Sequence, residues 1–145
     1  MSARTTTIDQ IEARLAASGR RRTAPRRAIV QMLVGAKGHV TADELAVDVQ
    51  RRFPSVNIST VYRTLDALEE LGIVDHVHLG HGRAVYHLTD EDHQHLYCER
   101  CERIVELPAA KLRAFLSSID REYGFEVDRR HFAIVGRCRR CRGRA

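Results

Sequence analysis

The chain has 145 residues, of which 43% are hydrophobic and 30% charged, with a net charge of +5 and a pI of about 9.4. This length allows one compact domain or two small ones. No apolar run approaches the roughly 18 to 20 residues that cross a bilayer, and the N-terminus lacks the apolar core of a signal peptide. These features predict a cytoplasmic protein with no membrane partner.

Apolar spacing in the first half predicts four helices followed by a β-hairpin. The helices are expected over Ile8–Ala17, from Thr23 to Gly35, from Thr41 to Phe53, and from about Ser59 to Leu71. Thr41 begins a capping box that Glu44 completes. The hairpin strands are expected over Ile73–His78 and Ala84–Leu88. Helices followed by such a hairpin form the winged-helix pattern.

An acidic stretch, residues 89–92, is the expected hinge, and a small α/β unit follows it. The strands of this unit are expected over His93–Tyr97, Arg103–Leu107, Phe125–Asp128 and His131–Val135, and its helix over Pro108–Tyr123. The predicted fold class is therefore α+β. We expect a winged-helix DNA-binding domain over residues 1–88 and a dimerisation and metal-binding domain over residues 93–145.

The start of the fourth helix has the composition of a DNA reader. Ser59 and Thr60 can bind phosphate through their hydroxyls and the positive helix end, while Tyr62 and Arg63 can contact thymine methyls and guanine. Upstream, an arginine arm that includes Arg21 can enter a narrow A·T-rich minor groove. The alternative interpretations are an ordinary capped helix and a solvated basic surface.

Four cysteines form two Cys-x-x-Cys pairs in the second half. They are Cys98, Cys101, Cys138 and Cys141. In a reducing compartment two such pairs can close a tetrahedral four-thiolate zinc site. Reduced, empty cysteines and a labile disulfide are the alternatives. Neither pair has the setting of a redox motif, and the chain has no nucleophile, metallohydrolase or phosphate-loop motif, so we expect no enzyme.

Histidines recur at alternate positions on two predicted strands. His93 and His95 can face the same way and grip one ion, and so can His76 and His78. His87, on the last strand before the hinge, could join the first pair. Imidazole-rich sites favour nickel, zinc, copper or cobalt over manganese.

Several of these motifs together resemble the ferric uptake regulator (Fur) family. The resemblance covers roughly residues 15–141 and is carried by Ser59–Leu65, Leu68–Val74 and Gly19–Arg26. The histidine-bearing segments His76–Gly82, Tyr86–Leu88 and His131–Cys138 are most similar to the nickel-responsive actinobacterial branch (Nur).

The resemblance implies a homodimeric repressor that binds a palindromic operator when a regulatory metal is bound. It implies one regulatory ligand set of His39, His87, His93 and His95, a second set of His76, His78 and His131, and structural zinc at the four cysteines. A glutamate often stands in the family where this chain has His87, and this difference weakens the case for ferrous iron. The alternatives are a regulator that responds to zinc or ferrous iron, and a constitutive zinc-stabilised DNA-binding protein.

Overall fold

The computed structural model describes residues 7–36, 39–79, 83–89, 93–129 and 132–143. These residues divide into two compact units. The first comprises the described residues within Met1–His76 and Ala84–Glu91, and the second those within Val77–Arg83 and Asp92–Ala145. Among the described residues, no helix is long and apolar enough to cross a membrane. Positions 90–92 of the predicted hinge lie outside the described residues.

The first unit is built on four helices. They are α1 (Ile8–Ala17), α2 (Ala24–Gly35), α3 (Ala42–Arg52) and α4 (Ile58–Glu70). Side chains at the N-termini define where each helix begins: Thr41 accepts a hydrogen bond from the Glu44 N–H at 3.2 Å, and the Glu44 carboxylate accepts one from the Thr41 N–H at 2.7 Å. This reciprocal capping box confirms the predicted start of α3.

A three-stranded sheet lies mainly in the first unit, although Val77 and His78 of one strand fall in the second. Its strands are β1 (Val40–Thr41), β2 (Val74–His78) and β3 (Ala84–Leu88), in the order β1-β3-β2. The short strand β1 was not predicted, since its two residues carry no periodic pattern. It pairs antiparallel to β3 with Val40 opposite Tyr86. The helices and the sheet enclose one apolar core, in which Ile29, Val49 and Leu65 are fully buried.

The second unit contains a three-stranded sheet and one helix. Its strands are β4 (His93–Cys98), β5 (Ile104–Pro108) and β6 (Ala133–Gly136), and its helix is α5 (Arg113–Tyr123). Strand β4 is central, antiparallel to β5 and parallel to β6, so the sheet is mixed. Parallel pairing needs a long crossover connection, which here contains α5.

Two predictions for the second unit were wrong in detail. Residues 125–128 form no strand. The helix expected from Pro108 is a 3₁₀ turn over Ala109–Lys111 followed by α5, and no side chain caps the start of either. Within this chain α5 buries none of its residues, although its apolar side chains lie on one face.

Candidate metal centres and nucleic-acid surface

The parallel pairing of β4 with β6 brings the two Cys-x-x-Cys motifs together. The register sets Cys98 opposite Gly136, and the Glu99 N–H donates to the Gly136 carbonyl at 2.9 Å. Each motif then follows the end of its strand as a tight turn. In the second turn the N–H groups of Cys141 and Arg142 both donate to the Cys138 carbonyl at 2.9 Å.

The four sulfur atoms have the spacing of a metal site. All lie within 4.8 Å of one another, and the Sγ atoms of Cys101 and Cys138 are 3.8 Å apart. Zinc–sulfur bonds of about 2.3 Å imply sulfurs about 3.8 Å apart on the edges of a tetrahedron. All four cysteines are free thiols rather than disulfides. The donor set therefore fits a tetrahedral zinc ion.

The electrostatics of these sulfurs suit a metal that binds thiolates. The backbone N–H groups of Cys138 and Cys101 lower the pKa of Cys98 to about 6, and the first of them lies 3.3 Å from Cys98 Sγ. Burial raises the pKa of Cys138, but hydrogen bonds from Cys141 outweigh this, so that pKa is lowered overall. Burial, together with hydrogen bonds to neighbouring sulfurs, raises the pKa of Cys141 to about 12. Binding of metal to all four thiolates must therefore release protons.

In the second unit, His93 and His95 form a close imidazole pair on β4. Their Nε2 atoms lie 3.1 Å apart, and His95 is buried. Two nitrogens bound about 2.1 Å from one ion in adjacent octahedral positions are about 3.0 Å apart. The alternation of a β-strand therefore brings these two residues together as predicted, at a separation suited to one metal ion.

In the first unit, His39 and His87 form a second imidazole pair, with ring centroids 5.2 Å apart. Because Val40 is opposite Tyr86 in the antiparallel β1–β3 ladder, the same register sets their neighbours His39 and His87 opposite each other. The Nδ1 atom of His87 lies 3.1 Å from the Leu88 carbonyl and donates to it, so Nε2 is the nitrogen suited to a metal.

Two further predicted ligands lie on β2 of the hairpin. His76 and His78 occupy alternate positions of β2, His76 partly buried and His78 exposed. The Nδ1 atom of His76 lies 2.5 Å from Oε1 of Glu69, and the His76 ring centroid is 5.7 Å from that of Tyr86. His131, the third predicted member of this set, lies outside the described residues.

The predicted DNA-reading residues lie at the start of α4. Asn57 caps this helix by accepting a hydrogen bond from the Ser59 N–H at 2.9 Å. Tyr62 projects from the first turns with 42% of its surface exposed. Arg63 is exposed too, and its Nη2 donates to Ser59 Oγ at 2.9 Å. Ser59 and Thr60 are partly buried beside them.

Ile58 is a candidate DNA contact that sequence reasoning missed. It is the first residue of α4, one helical turn before Tyr62, and 39% of its surface is exposed. Residues four apart lie on one face of a helix, so Ile58 and Tyr62 form one exposed apolar surface. The sequence feature that could have identified this contact is an isoleucine directly after the Asn57 cap, at a position that the core does not require to be apolar.

The arginine arm between α1 and α2 is partly tied to the protein. Arg20 pairs with Glu70, and the Arg26 guanidinium donates to the Arg21 carbonyl. Burial, and then the neighbouring charge of Arg20, lowers the pKa of Arg26. The side chain of Arg21 is exposed to solvent, as the prediction of a DNA contact requires.

Comparison with known proteins agrees with this arrangement. The model of the ferric uptake regulator family matches residues 17–135. Over 142 residues the chain is 32% identical to the ferric uptake regulation protein of Bacillus subtilis, covering 94% of this chain and 95% of that protein. It is 29% identical over 135 residues to the peroxide-responsive repressor PerR of Staphylococcus epidermidis, covering 93% and 90%. The solved ferric uptake regulator of Helicobacter pylori shares the fold, with a TM-score of 0.81 at 20% identity over 99% of both chains.

These matches extend over nearly the whole length of both proteins, so they apply to both units. Fur proteins combine an N-terminal winged-helix DNA-binding domain with a C-terminal dimerisation domain, and the α+β prediction is confirmed. They are dimeric, metal-responsive regulators of transcription and not enzymes, as the sequence predicted. This chain belongs to the ferric uptake regulator family.

Proposed function

We propose that this chain is a nickel-responsive repressor of the Nur type, which binds a palindromic, A·T-rich operator as a dimer with nickel as co-repressor. The observation that carries the choice of metal is that both close histidine pairs consist of imidazoles alone: His39 with His87, and His93 with His95. Nitrogen ligands favour nickel, copper and zinc over manganese, and His87, where the family often has a glutamate, weakens the case for ferrous iron.

The two pairs belong to different units, and we propose that together they hold one regulatory ion. His39 and His87 would supply half of its ligands from the winged-helix unit, and His93 and His95 the other half from β4. The pairs can share an ion only when the two units face each other. If sharing the ion stabilised the facing arrangement by about 1.4 kcal/mol, the equilibrium between facing and non-facing units would shift tenfold.

The hinge for this movement would lie at about residues 89–92, with domains at about 1–88 and 93–145. Thr89 is fixed to the first unit, since its N–H donates to the Ile73 carbonyl at 3.0 Å and its hydroxyl to the Gly72 carbonyl at 2.8 Å. A second regulatory ion at His76, His78 and His131 is the competing assignment, and the nickel-branch resemblance supports it.

We propose that Cys98, Cys101, Cys138 and Cys141 hold structural zinc. Zinc here would tie β4 to the C-terminal segment after β6. The 3.8 Å separation of two sulfurs and the lowered pKa of Cys98 support this role. Nickel and zinc would thus have separate sites. Zinc at the thiolates would stabilise the fold, and nickel at the imidazoles would be the metal that is sensed.

The dimer would form through the second unit. Phe115 on α5 is 56% exposed, and Phe125 after this helix is 62% exposed. Val105, Ile134 and Val135 on the outer strands of the sheet are exposed as well. Large apolar side chains in such numbers are typical of a surface that another protein covers. Two-fold pairing here would present two α4 helices to a palindrome.

In each half-site, α4 would enter the major groove. Ser59 and Thr60 would contact phosphate, Tyr62 and Arg63 would read bases, and Arg21 would enter the adjacent minor groove. A hydrogen bond between two of these side chains supports this assignment: exposed Arg63 donates to partly buried Ser59, so its guanidinium is already oriented on the helix surface.

An iron-responsive function is the main alternative. Its support is the names of the relatives, a ferric uptake regulation protein and a peroxide-responsive repressor. A zinc-responsive regulator and a constitutive zinc-stabilised DNA-binding protein are the others. All four hypotheses predict different responses of one quantity, the operator affinity at a buffered free metal concentration.

We would measure operator affinity by fluorescence anisotropy at fixed salt, because phosphate contacts make affinity salt-dependent. The chelator-treated dimer would receive nickel, zinc, ferrous iron or manganese in turn. We expect nickel to tighten binding more than about tenfold, which is about 1.4 kcal/mol. A joint His93→Ala and His95→Ala change should abolish the gain if the four-histidine site senses the metal. The double substitution His76→Ala and His78→Ala should abolish the gain if instead the set of His76, His78 and His131 senses the metal.

Other outcomes separate the alternatives. A gain with ferrous iron or zinc but not nickel would keep the family function and refute the nickel assignment. Equal affinity with and without every metal would refute the switch, and would leave a constitutive DNA-binding protein.

A further inference from the structure

The last turn of α4 is in direct contact with the candidate ligand His76. Oε1 of Glu69 lies 2.5 Å from Nδ1 of His76, and both side chains are partly buried. The turn between them is tight, since the Ile73 N–H donates to the Leu68 carbonyl at 2.9 Å. The Tyr86 ring on β3 also lies near the imidazole, with ring centroids 5.7 Å apart. The His76 ring therefore contacts the last turn of α4 and lies close to the neighbouring strand β3.

This contact decides which nitrogen of His76 can bind metal. A carboxylate that accepts a hydrogen bond from Nδ1–H fixes the tautomer with the proton on Nδ1, and this leaves Nε2 as the ligand nitrogen. Such a carboxylate also makes the imidazole a better donor to a metal. Glu69 lies seven positions after Tyr62 on the same helix. At about 1.5 Å per residue, the two are about 10 Å apart along the axis.

We propose that Glu69 is a positioning residue that connects metal binding at His76 to the DNA-reading surface of α4. The inference rests on the proposed function, and within it on the competing assignment, in which His76 is a ligand of a regulatory ion. Glu69 orients His76 so that Nε2 faces the ion. Displacement of the His76 ring is in turn transmitted to the end of α4 through the Glu69 carboxylate. Because coupling is reciprocal, the same contact makes operator binding raise metal affinity.

The chain offers a matched control at the next position. Glu70 is also at the end of α4, carries the same charge, and pairs with Arg20 rather than with a histidine. Glu69→Ala and Glu70→Ala therefore remove equal charge from the same helix end. Only the first removes the carboxylate that orients His76. Glu69→Gln retains an oxygen that accepts a hydrogen bond and tests whether orientation alone suffices.

The experiment uses full-length dimer with zinc retained and nickel as the added metal. The first readout is the His76 tautomer in nickel-free protein, from the ¹⁵N shifts of its imidazole. The second is nickel affinity by competition with a chromophoric chelator. The third is the ratio of operator affinities with and without nickel.

We expect Glu69→Ala to remove the Nδ1–H preference, to weaken nickel binding about 10- to 100-fold and to reduce the affinity ratio in parallel. Glu70→Ala should change nickel binding and the ratio less than about twofold, and Glu69→Gln should be intermediate. A merely structural contact would lower thermal stability in both alanine variants while leaving the tautomer and nickel affinity unchanged.

The inference is overturned if Glu69→Ala and Glu70→Ala have equal effects, or if His76→Ala leaves the nickel response intact. In those outcomes wild-type protein still responds to nickel, so the proposed function survives. Absence of a nickel response in wild type refutes the proposed nickel function itself, and with it this role for Glu69.

Discussion

At the scale of single residues, Ile58 offers a test of how α4 reads DNA. Its exposed side chain lies one turn from Tyr62 on the same face. In a major groove such a surface can contact thymine methyl groups. We expect Ile58→Ala to weaken operator binding about fivefold, which is about 1 kcal/mol, because part of an apolar contact is lost.

The measurement would replace operator thymines with deoxyuridine one at a time. Wild type should lose operator affinity when the thymine that Ile58 contacts is replaced. The operator affinity of Ile58→Ala should not change with that replacement. Val47→Ala on α3, another exposed apolar position of the first unit, serves as the control. If every deoxyuridine affects wild type and Ile58→Ala equally, Ile58 contacts no thymine methyl.

Cys98 makes the stability of the metal-free protein dependent on pH. Its pKa is about 6 in the fold against an ordinary value of 9.0, mainly because the Cys138 N–H, and then the Cys101 N–H, stabilise the thiolate. A group whose pKa is lower in the folded chain than in the unfolded chain stabilises the fold fully above its unfolded pKa. This stabilisation is lost as the pH falls through the folded pKa. The stability from Cys98 should therefore fall between pH 9 and pH 6.

This prediction can be checked with thermal unfolding of reduced, metal-free protein. The difference in Tm between wild type and Cys98→Ser should shrink steadily as pH is lowered from 9 to 6. Comparison with the variant cancels the titration of histidines that both proteins share. A difference that is constant over this range would mean that the Cys98 thiolate is not stabilised in the fold.

At the scale of elements, α5 is amphipathic but buries no residue within the chain. The apolar face of this helix therefore needs a partner surface, and the dimeric state of the family provides one. We expect Phe115→Glu to raise the dimer dissociation constant by about tenfold or more, because a charge would be buried where a ring packs. Analytical ultracentrifugation over a concentration series measures this directly.

The control for that experiment is Arg121→Glu, which introduces the same side chain at an exposed polar position of the same helix. It should leave the dissociation constant unchanged within about twofold. If both substitutions weaken the dimer equally, general charge repulsion is responsible. If neither does, the dimer interface lies elsewhere.

At the scale of the whole molecule, apolar burial is divided unequally. The large core cluster lies entirely in the first unit. In the described part of the second unit the fully or nearly buried apolar residues are few: Val77, Leu79, Cys98, Ala109 and Cys141. A core of this size provides little stability, so we propose that metal at the cysteines and dimerisation provide the rest.

Removal of the metal should therefore affect the two units differently. After treatment with a strong chelator under reducing conditions, we expect hydrogen exchange in β4 and β6 to lose protection by a factor of 10 or more, which is about 1.4 kcal/mol. Protection of α2 and α4 should remain. Cys101→Ser should have the same effect without a chelator. Equal loss of protection in both units would show that metal stabilises the chain as one cooperative body.

The sequence by itself determined the local elements of this protein. A helix cap is formed by side chains within one turn of each other in the sequence. The capping box of Thr41 and Glu44 and the start of α2 at Thr23 could therefore be predicted. The strand β3 could be predicted as well. The pairing of the two Cys-x-x-Cys motifs could be predicted as well, because few arrangements other than a shared metal use four cysteines in this spacing. Motifs of α4 also identified the family.

Only the tertiary structure decided which distant residues meet. The two-residue strand β1, which brings His39 beside His87, depends on its ladder with β3 and has no periodicity of its own. The contact of Glu69 with His76 depends on the tight turn after α4. The expected strand over residues 125–128 was wrong, because alternation of side chains within a segment does not show whether the segment pairs with another strand.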